Sequence, residues 1–174
     1  MFQLGTAEAS AIIHAPIDRV DVSEWMFTLT SEEYAACSKE HQSAAQGRLP
    51  SGTRFSVNVE RADSLLIVQH YIETVSERHR VVGFSPNSAF WMNDIDYAFA
   101  QVTWEVAVEK LDDEKCMLTC SAFSESDNEA IVTTLHNALK EAGSEKSPLQ
   151  LHMEEETPLF AKDIERKALA GIWM

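Results

Sequence analysis

The sequence predicts an α+β fold in which a curved antiparallel sheet of about six to seven strands wraps around a long C-terminal helix. Three observations carry this. Strands with one wet and one dry face follow one another in sequential hairpins between residues 42 and 123, as antiparallel pairing requires. A strand ending in an Ala-Pro step (residues 7–16) and two short helical stretches precede them. An apolar-faced helical run, residues 149–172, closes the chain, and the dry face of the sheet is the only surface large enough to receive it. A sheet closed around a helix encloses a cavity, so the order of elements points towards a small apolar ligand.

The elements follow in turn. Residues 7–14 are compact and partly alternating, and Pro16 forces an extended exit. Ile17, Val20, Trp25 and Leu29 have helical spacing, and Thr30 or Ser31 can cap a second helix over residues 32–38. A strand over residues 42–49 leads to a Pro50-Ser51-Gly52 turn. Over residues 53–60, Phe55, Val57 and Val59 alternate with Arg54, Ser56, Asn58 and Glu60. Residues 65–74 place Leu66, Val68, His70 and Ile72 on one face, and a shorter strand, 79–85, ends at Pro86. Over residues 101–109, Val102, Trp104, Val106 and Val108 share a side, and 115–123 is the last strand. Residues 128–141 read as a helix with Ile131, Leu135 and Leu139 on one side. Leu149, Met153, Phe160, Ile164 and Ala168 stay in phase across Pro158, which reads as one helix kinked there, although Thr157 could equally cap a fresh one.

Composition bounds the possibilities. A chain of 174 residues is one domain, residues 1–174, large enough for a sizeable core. The formal charge of −14 repels nucleic acid and anionic membrane; it reads as a solubility device ahead of a surface for a cationic partner. No apolar run approaches the ~20 residues of a membrane span, so no integral membrane association is expected. The N-terminus lacks a basic start and a long apolar core, and the three cysteines form no metal-type cluster; both suit a reducing cytoplasm. A homodimer is compatible with the sequence.

The run Ile12-Ile13-His14-Ala15-Pro16-Ile17-Asp18-Arg19-Val20, the helix with Trp25, the strand series and the closing helix over residues 158–169 resemble the START-like helix-grip superfamily, also called SRPBCC. That superfamily includes polyketide cyclases and aromatases, lipid-transfer domains, plant pollen allergens and activators of heat-shock chaperone ATPases. The resemblance covers nearly the whole chain and is one of topology. It implies a cavity between sheet and closing helix, and carries no catalytic motif to transfer. The helical segment 128–141 and the aromatic stretch 86–98 depart from the pattern and would reshape a cavity mouth.

The expected ligand-binding residues are Phe55, Val57, Val68, His70, Trp104 and Val106 from the sheet, with Phe160 and Ile164 facing them from the helix. Phe84, Trp91 and Tyr97, with Phe90 and Phe99, form either a pocket mouth or a satellite cluster over a sheet edge. His70 would orient a ligand or move a proton, or else be a core histidine satisfied by backbone or water. Trp104 brings an indole N–H that wants a partner. No metal or cofactor is expected: the six histidines lack close metal-type spacing, and His152 with Glu155 and Glu156, which could place two ligand types on one helical face, reads ahead of that as a solvated acidic face. No Gly-x-Ser-x-Gly elbow or phosphate loop is present. Three functions remain: a module binding a small hydrophobic or aromatic molecule, a cyclase or dehydratase using the same cavity, and a chaperone-activator-like module with a filled cavity and a working outer surface.

Overall fold

Alternation along β6 (Asp96–Lys110) sets the inside of the fold: Ala98, Ala100, Val102, Trp104, Val106 and Val108 are buried, while Tyr97 and Phe99 stand in solvent. The structure, a computed structural model, describes residues 1–62, 65–92, 96–130, 132–133, 136–137 and 145–174. Before β6 come β1 (Phe2–Ile13), a 3-10 turn (Ile17–Arg19), α1 (Val22–Thr28), α2 (Ser31–Ala35), β2 (His41–Arg48), β3 (Arg54–Ala62), β4 (Leu65–Glu77) and β5 (Arg80–Met92). After it come β7 (Cys116–Ser126) and a long helix, here α3 (Pro148–Leu169). The seven strands form one antiparallel sheet in the order β1-β7-β6-β5-β4-β3-β2. This is the helix-grip architecture.

Register shifts in the β1–β7, β2–β3, β4–β5 and β5–β6 pairs mark bulges, which bend the sheet around the helix. One of them corrects an expectation. The strand expected to stop at Pro86 continues to Met92, because the register shift between Ser85 and Ser88 takes Pro86 out of the ladder, where its missing N–H costs nothing. Ser88 Oγ donates to Ser85 Oγ at 2.8 Å, and Ser85 Oγ accepts the His70 amide at 2.9 Å, so the bulge leaves these polar groups paired.

α3 is a single helix. Ser147 caps it by accepting the Gln150 amide at 3.1 Å, Pro148 occupies its first turn and Pro158 lies inside it. Pro158 has no N–H for the carbonyl of Glu154, so the helix has a weak point between a half beginning at Leu149 and a half carrying Phe160, Ile164 and Ala168. The second half is anchored: the Trp25 indole donates to Asp163 at 2.9 Å, and Lys167 and Arg166 reach Glu33 at 2.8 and 2.9 Å. Gln150 exchanges hydrogen bonds with the backbone of Glu8, and Glu165 accepts the His14 amide, which shields edge strand β1. The helix expected over residues 128–141 lies largely outside the described residues, Ile131, Leu135 and Leu139 among them. Among the described residues no helix is long and apolar enough to cross a membrane.

α2 is short and depends on its N-terminal box. Thr30 Oγ1 accepts the Glu33 amide at 3.2 Å, and the Glu33 carboxylate accepts the Thr30 amide at 3.0 Å. Burial acts to raise the Glu33 pKa, but the hydrogen bond from Lys167 and those from Thr30 bring it down to about 2. Its folded-state value therefore lies below the ordinary 4.5, so its stabilising contribution is present above that pH and lost as pH falls towards 2. Thermal unfolding followed down this window should show a smaller loss of stability in Glu33→Gln than in the wild type. Equal slopes would mean that the carboxylate contributes nothing.

Candidate functional site

The inward side of β3 and β4 is polar. Along β3 the buried positions are Arg54, Ser56 and Asn58, with Phe55, Val57 and Val59 only half-buried between them. Along β4 they are Gln69 and Tyr71, flanked by half-buried Val68, His70 and Ile72. Asn58, Glu60, Gln69 and Tyr71 line the same cavity as Trp104 and Met153, so this is the face towards α3. The expected register on these two strands is thus corrected by one residue: Phe55, Val57, Val68 and His70 project from the opposite, convex face. The pairings Val57↔His70 and Val59↔Val68 keep these side chains together there.

The other expected residues divide. Trp104 and Val106 are buried on the inward face of β6, and Phe160 and Ile164 of α3 are fully buried against it. Of this group only Trp104 borders the cavity. Phe84, paired with Ile72 and Thr103, falls on the convex face. Trp91 and Tyr97 do so too, their ring centroids 6.4 Å apart, with Phe99 next to Tyr97 at 5.6 Å. These aromatics cover the convex side of the sheet and form no pocket mouth, whereas Phe90 packs against the core.

The core leaves a cavity of about 40 Å³, far below the several hundred usual for a small-molecule site. Trp25 meets Trp104 and Phe160 edge to face at the centre, at centroid distances of 6.1 and 4.9 Å, and Trp104 and Phe160 lie tilted to one another at 5.7 Å. Gly83 faces Trp104 across β5–β6 and admits the Tyr71 side chain: a Cβ there would lie 3.0 Å from Tyr71 Cβ. The cavity has an apolar wall of Val102, Trp104, Ala122, Leu149 and Met153, and a polar end of Tyr34, Asn58, Glu60, Gln69, His152 and Glu156. Besides the two ring nitrogens of His152, two buried atoms on its lining residues have no hydrogen-bond partner, Gln69 Oε1 and Trp104 Nε1. A wider surface depression of about 450 Å³ beside Pro16, Asp18, Arg19 and Lys110 holds no buried polar group of this kind.

The polar end is a knot of charge. Tyr34 Oη donates to Glu60 Oε1 at 2.5 Å, and its ring stacks on His41 at 3.8 Å. His41 Nδ1 donates to the Tyr34 carbonyl at 2.8 Å, while Nε2 faces Glu156 Oε2 at 3.0 Å. His152 Nε2 lies 3.4 Å from Glu156 Oε2 and 3.9 Å from Glu60 Oε2, and Nδ1 lies 3.1 Å from Glu40 Oε2. These are ion-pair distances, yet neither ring nitrogen of His152 has hydrogen-bond geometry. Burial works against a charged His152, but the Glu156 carboxylate, then Glu60 and Glu40, raise its pKa to about 9. Burial pushes Glu60 upward, only partly opposed by the histidines, and burial above all puts Tyr34 well above its usual range. Burial would raise Glu156 as well, but the His152 and His41 imidazoles beside it hold it below the ordinary value. Burial pushes the Cys37 and Cys116 thiols up to about 12 and 11, which leaves them without nucleophilic thiolate.

His41 and His152 were not distinguishable in the sequence as site residues, since His41 and Glu156 are 115 positions apart. The one available signal was the i,i+4 spacing of His152 and Glu156, which stacks them on one helical face. Glu154 and Glu155 beside them are exposed, so the acidic run is solvated except at Glu156.

No family model and no curated protein matches the chain. Solved structures do. A protein from Thermus thermophilus aligns at 18% identity over 95% of this chain and 98% of its own, with a TM-score of 0.58. The Zhui aromatase/cyclase of a Streptomyces species aligns at 12% identity over 94% of both chains, with a TM-score of 0.56. The di-domain aromatase/cyclase StfQ of the steffimycin biosynthetic pathway aligns at 12% identity and a TM-score of 0.51, over 91% of this chain and 45% of its own. At these identities the likeness is one of fold, the helix-grip.

Proposed function

We propose that this protein is a binding module holding a small hydrophobic or aromatic molecule between the concave face of the sheet and the first half of α3. The observation that carries the reading is the pair of unpartnered buried atoms, Gln69 Oε1 and Trp104 Nε1, on a cavity with one apolar wall and one polar end. A core filled for its own sake pairs such groups or omits them, because each orphan costs about 1–3 kcal/mol. An acceptor and a donor on one cavity suit a ligand with a polar group at one end of an apolar body. Known small-molecule sites run to about 300–1,000 Å³, so binding requires Leu149 and Met153 to move outward. Pro158 supplies the place for it, since the anchored half beyond it can stay put.

The test uses a fluorescent apolar probe and native mass spectrometry of the protein as first purified. Wild-type protein should bind the probe, and Ala122→Val, which pushes two carbons into the cavity wall, should bind it several-fold more weakly while keeping its circular dichroism. Probe binding that ignores the substitution would place the site elsewhere, on the apolar convex face for instance.

A second reading, a cyclase or dehydratase in the same cavity, is favoured by one observation. Glu60 and Glu156 sit together with pKa values displaced in opposite directions, the environment of an acid and a base acting as a pair. Under this reading Glu60→Gln would abolish turnover of a poly-carbonyl substrate and leave probe binding intact. The likeness in fold to aromatase/cyclases supports trying that substrate class first.

A further inference from the structure

We infer that His41, His152 and Glu156 form a binding site for one divalent transition-metal ion of the zinc class. The three side chains present one ligand atom each, all within 4.8 Å of one another. Both histidine Nε2 atoms converge on the same oxygen, Glu156 Oε2, at 3.0 and 3.4 Å. Ligand atoms bound at about 2.0–2.1 Å to a tetrahedral ion lie roughly 3.4 Å apart, so these separations are those of neighbouring ligands around one centre.

The outer contacts fit as well. The His41 Nδ1–H is given to the Tyr34 carbonyl, which can only accept. With Nδ1 so engaged, the Nε2 of a neutral His41 ring is the nitrogen left to give its lone pair to a cation, and it faces Glu156 Oε2, a second ligand atom, at 3.0 Å. His152 Nδ1 lies 3.1 Å from Glu40 Oε2, within reach of the carboxylate–histidine contact that orients metal-bound imidazoles. Neither nitrogen of His152 finds a hydrogen bond within the protein, although the ring is nearly buried. Glu60 Oε2, 3.9 Å from His152 Nε2, is within reach as a fourth ligand. Otherwise that position opens on the cavity that Gln69 Oε1 and Trp104 Nε1 face without partners, the environment of an ion that keeps a water or an exchangeable ligand. Two imidazoles with one or two carboxylates favour zinc or its neighbours; magnesium and calcium take all-oxygen sets.

This inference stands apart from the ligand proposal, and the two can fail separately: probe binding to chelator-treated protein reads one, metal uptake the other. The full-length chain, stripped with a chelator and dialysed, is titrated with Zn²⁺ alone against a chromophoric competitor, with stoichiometry read by native mass spectrometry. The expected result is one Zn²⁺ per chain. Affinity should fall by more than about tenfold in His152→Gln and in Glu156→Gln, since even outer-shell losses cost about that much. His70→Gln, on the convex face, should bind as the wild type does. No stoichiometric uptake, or uptake that both site variants retain, overturns the assignment. Co²⁺ gives a reading in the unmutated chain that holds even if the variants fail to fold: visible d–d bands should appear with one equivalent and vanish on adding Zn²⁺. Their absence would equally sink the site.

Discussion

Phe160→Ala should destabilise the protein by about 3–5 kcal/mol, a large part of the roughly 5–15 kcal/mol that holds a domain folded. The ring has no exposed surface. It touches Trp25 edge-on at 4.9 Å, lies 5.7 Å from Trp104 and 6.0 Å from His41, and so joins the anchored half of α3 to α1, β6 and the charged end of the cavity. Removing it loses the transfer free energy of a phenyl ring and leaves a void that its neighbours cannot close. Trp25 is tied to Asp163 through its indole, and Trp104 is held in the β6 ladder. Urea unfolding should show a lower midpoint with an unchanged slope. A loss below about 1 kcal/mol would mean that α3 repacks freely and that the aromatic centre is not what grips it.

The element order was legible because period-two alternation and helical spacing are local and strong. Over residues 102–108 a dry side of Val, Trp, Val and Val opposes Thr103, Glu105 and the small Ala107, so both the strand and its inward face could be read. On β3 and β4 the alternation was equally clear but its sense was not. Alternation says that two faces differ, and only the surroundings decide which one is buried. Here Arg54 and Glu60 turn inward because partners arrive from other elements: Glu24 from α1 and Glu73 from β4 for Arg54, and Tyr34 from α2 for Glu60. The valines and phenylalanines between them stay half-buried on the convex face, sheltered by one another. The site was hidden for the same reason. His41 opens a strand and His152 sits in an acidic run, and no local pattern shows that the curvature of the sheet brings them together.

Arg54→Met tests that inverted face and should cost roughly 3 kcal/mol, as loss of one member of a buried ion pair does. The Arg54 guanidinium donates from Nε to Glu73 Oε1 at 3.0 Å and from Nη2 to Ser76 Oγ at 3.0 Å. It also bonds Ser23 and Glu24, and its carbon lies 5.1 Å from the Phe27 ring centre. The Glu24 carboxylate is half exposed, so most of the cost falls on Glu73, of which only 14% is accessible. Burial alone would raise the Glu73 pKa, but the Arg54 hydrogen bond holds it below the ordinary 4.5. The wild-type pair therefore stabilises above that pH and loses its contribution as acid protonates the carboxylate. In Arg54→Met the sign reverses: a carboxylate without its cation has a raised pKa, and protonation relieves it. The gap between the two proteins should accordingly narrow when unfolding is measured at about pH 4 instead of about pH 7. Adding Glu73→Leu to Arg54→Met should recover most of the loss, because a matched apolar pair replaces a broken ionic one. A double variant as unstable as the single would show that the arginine stem, packed along Phe27, carries the stability and the ion pair does not.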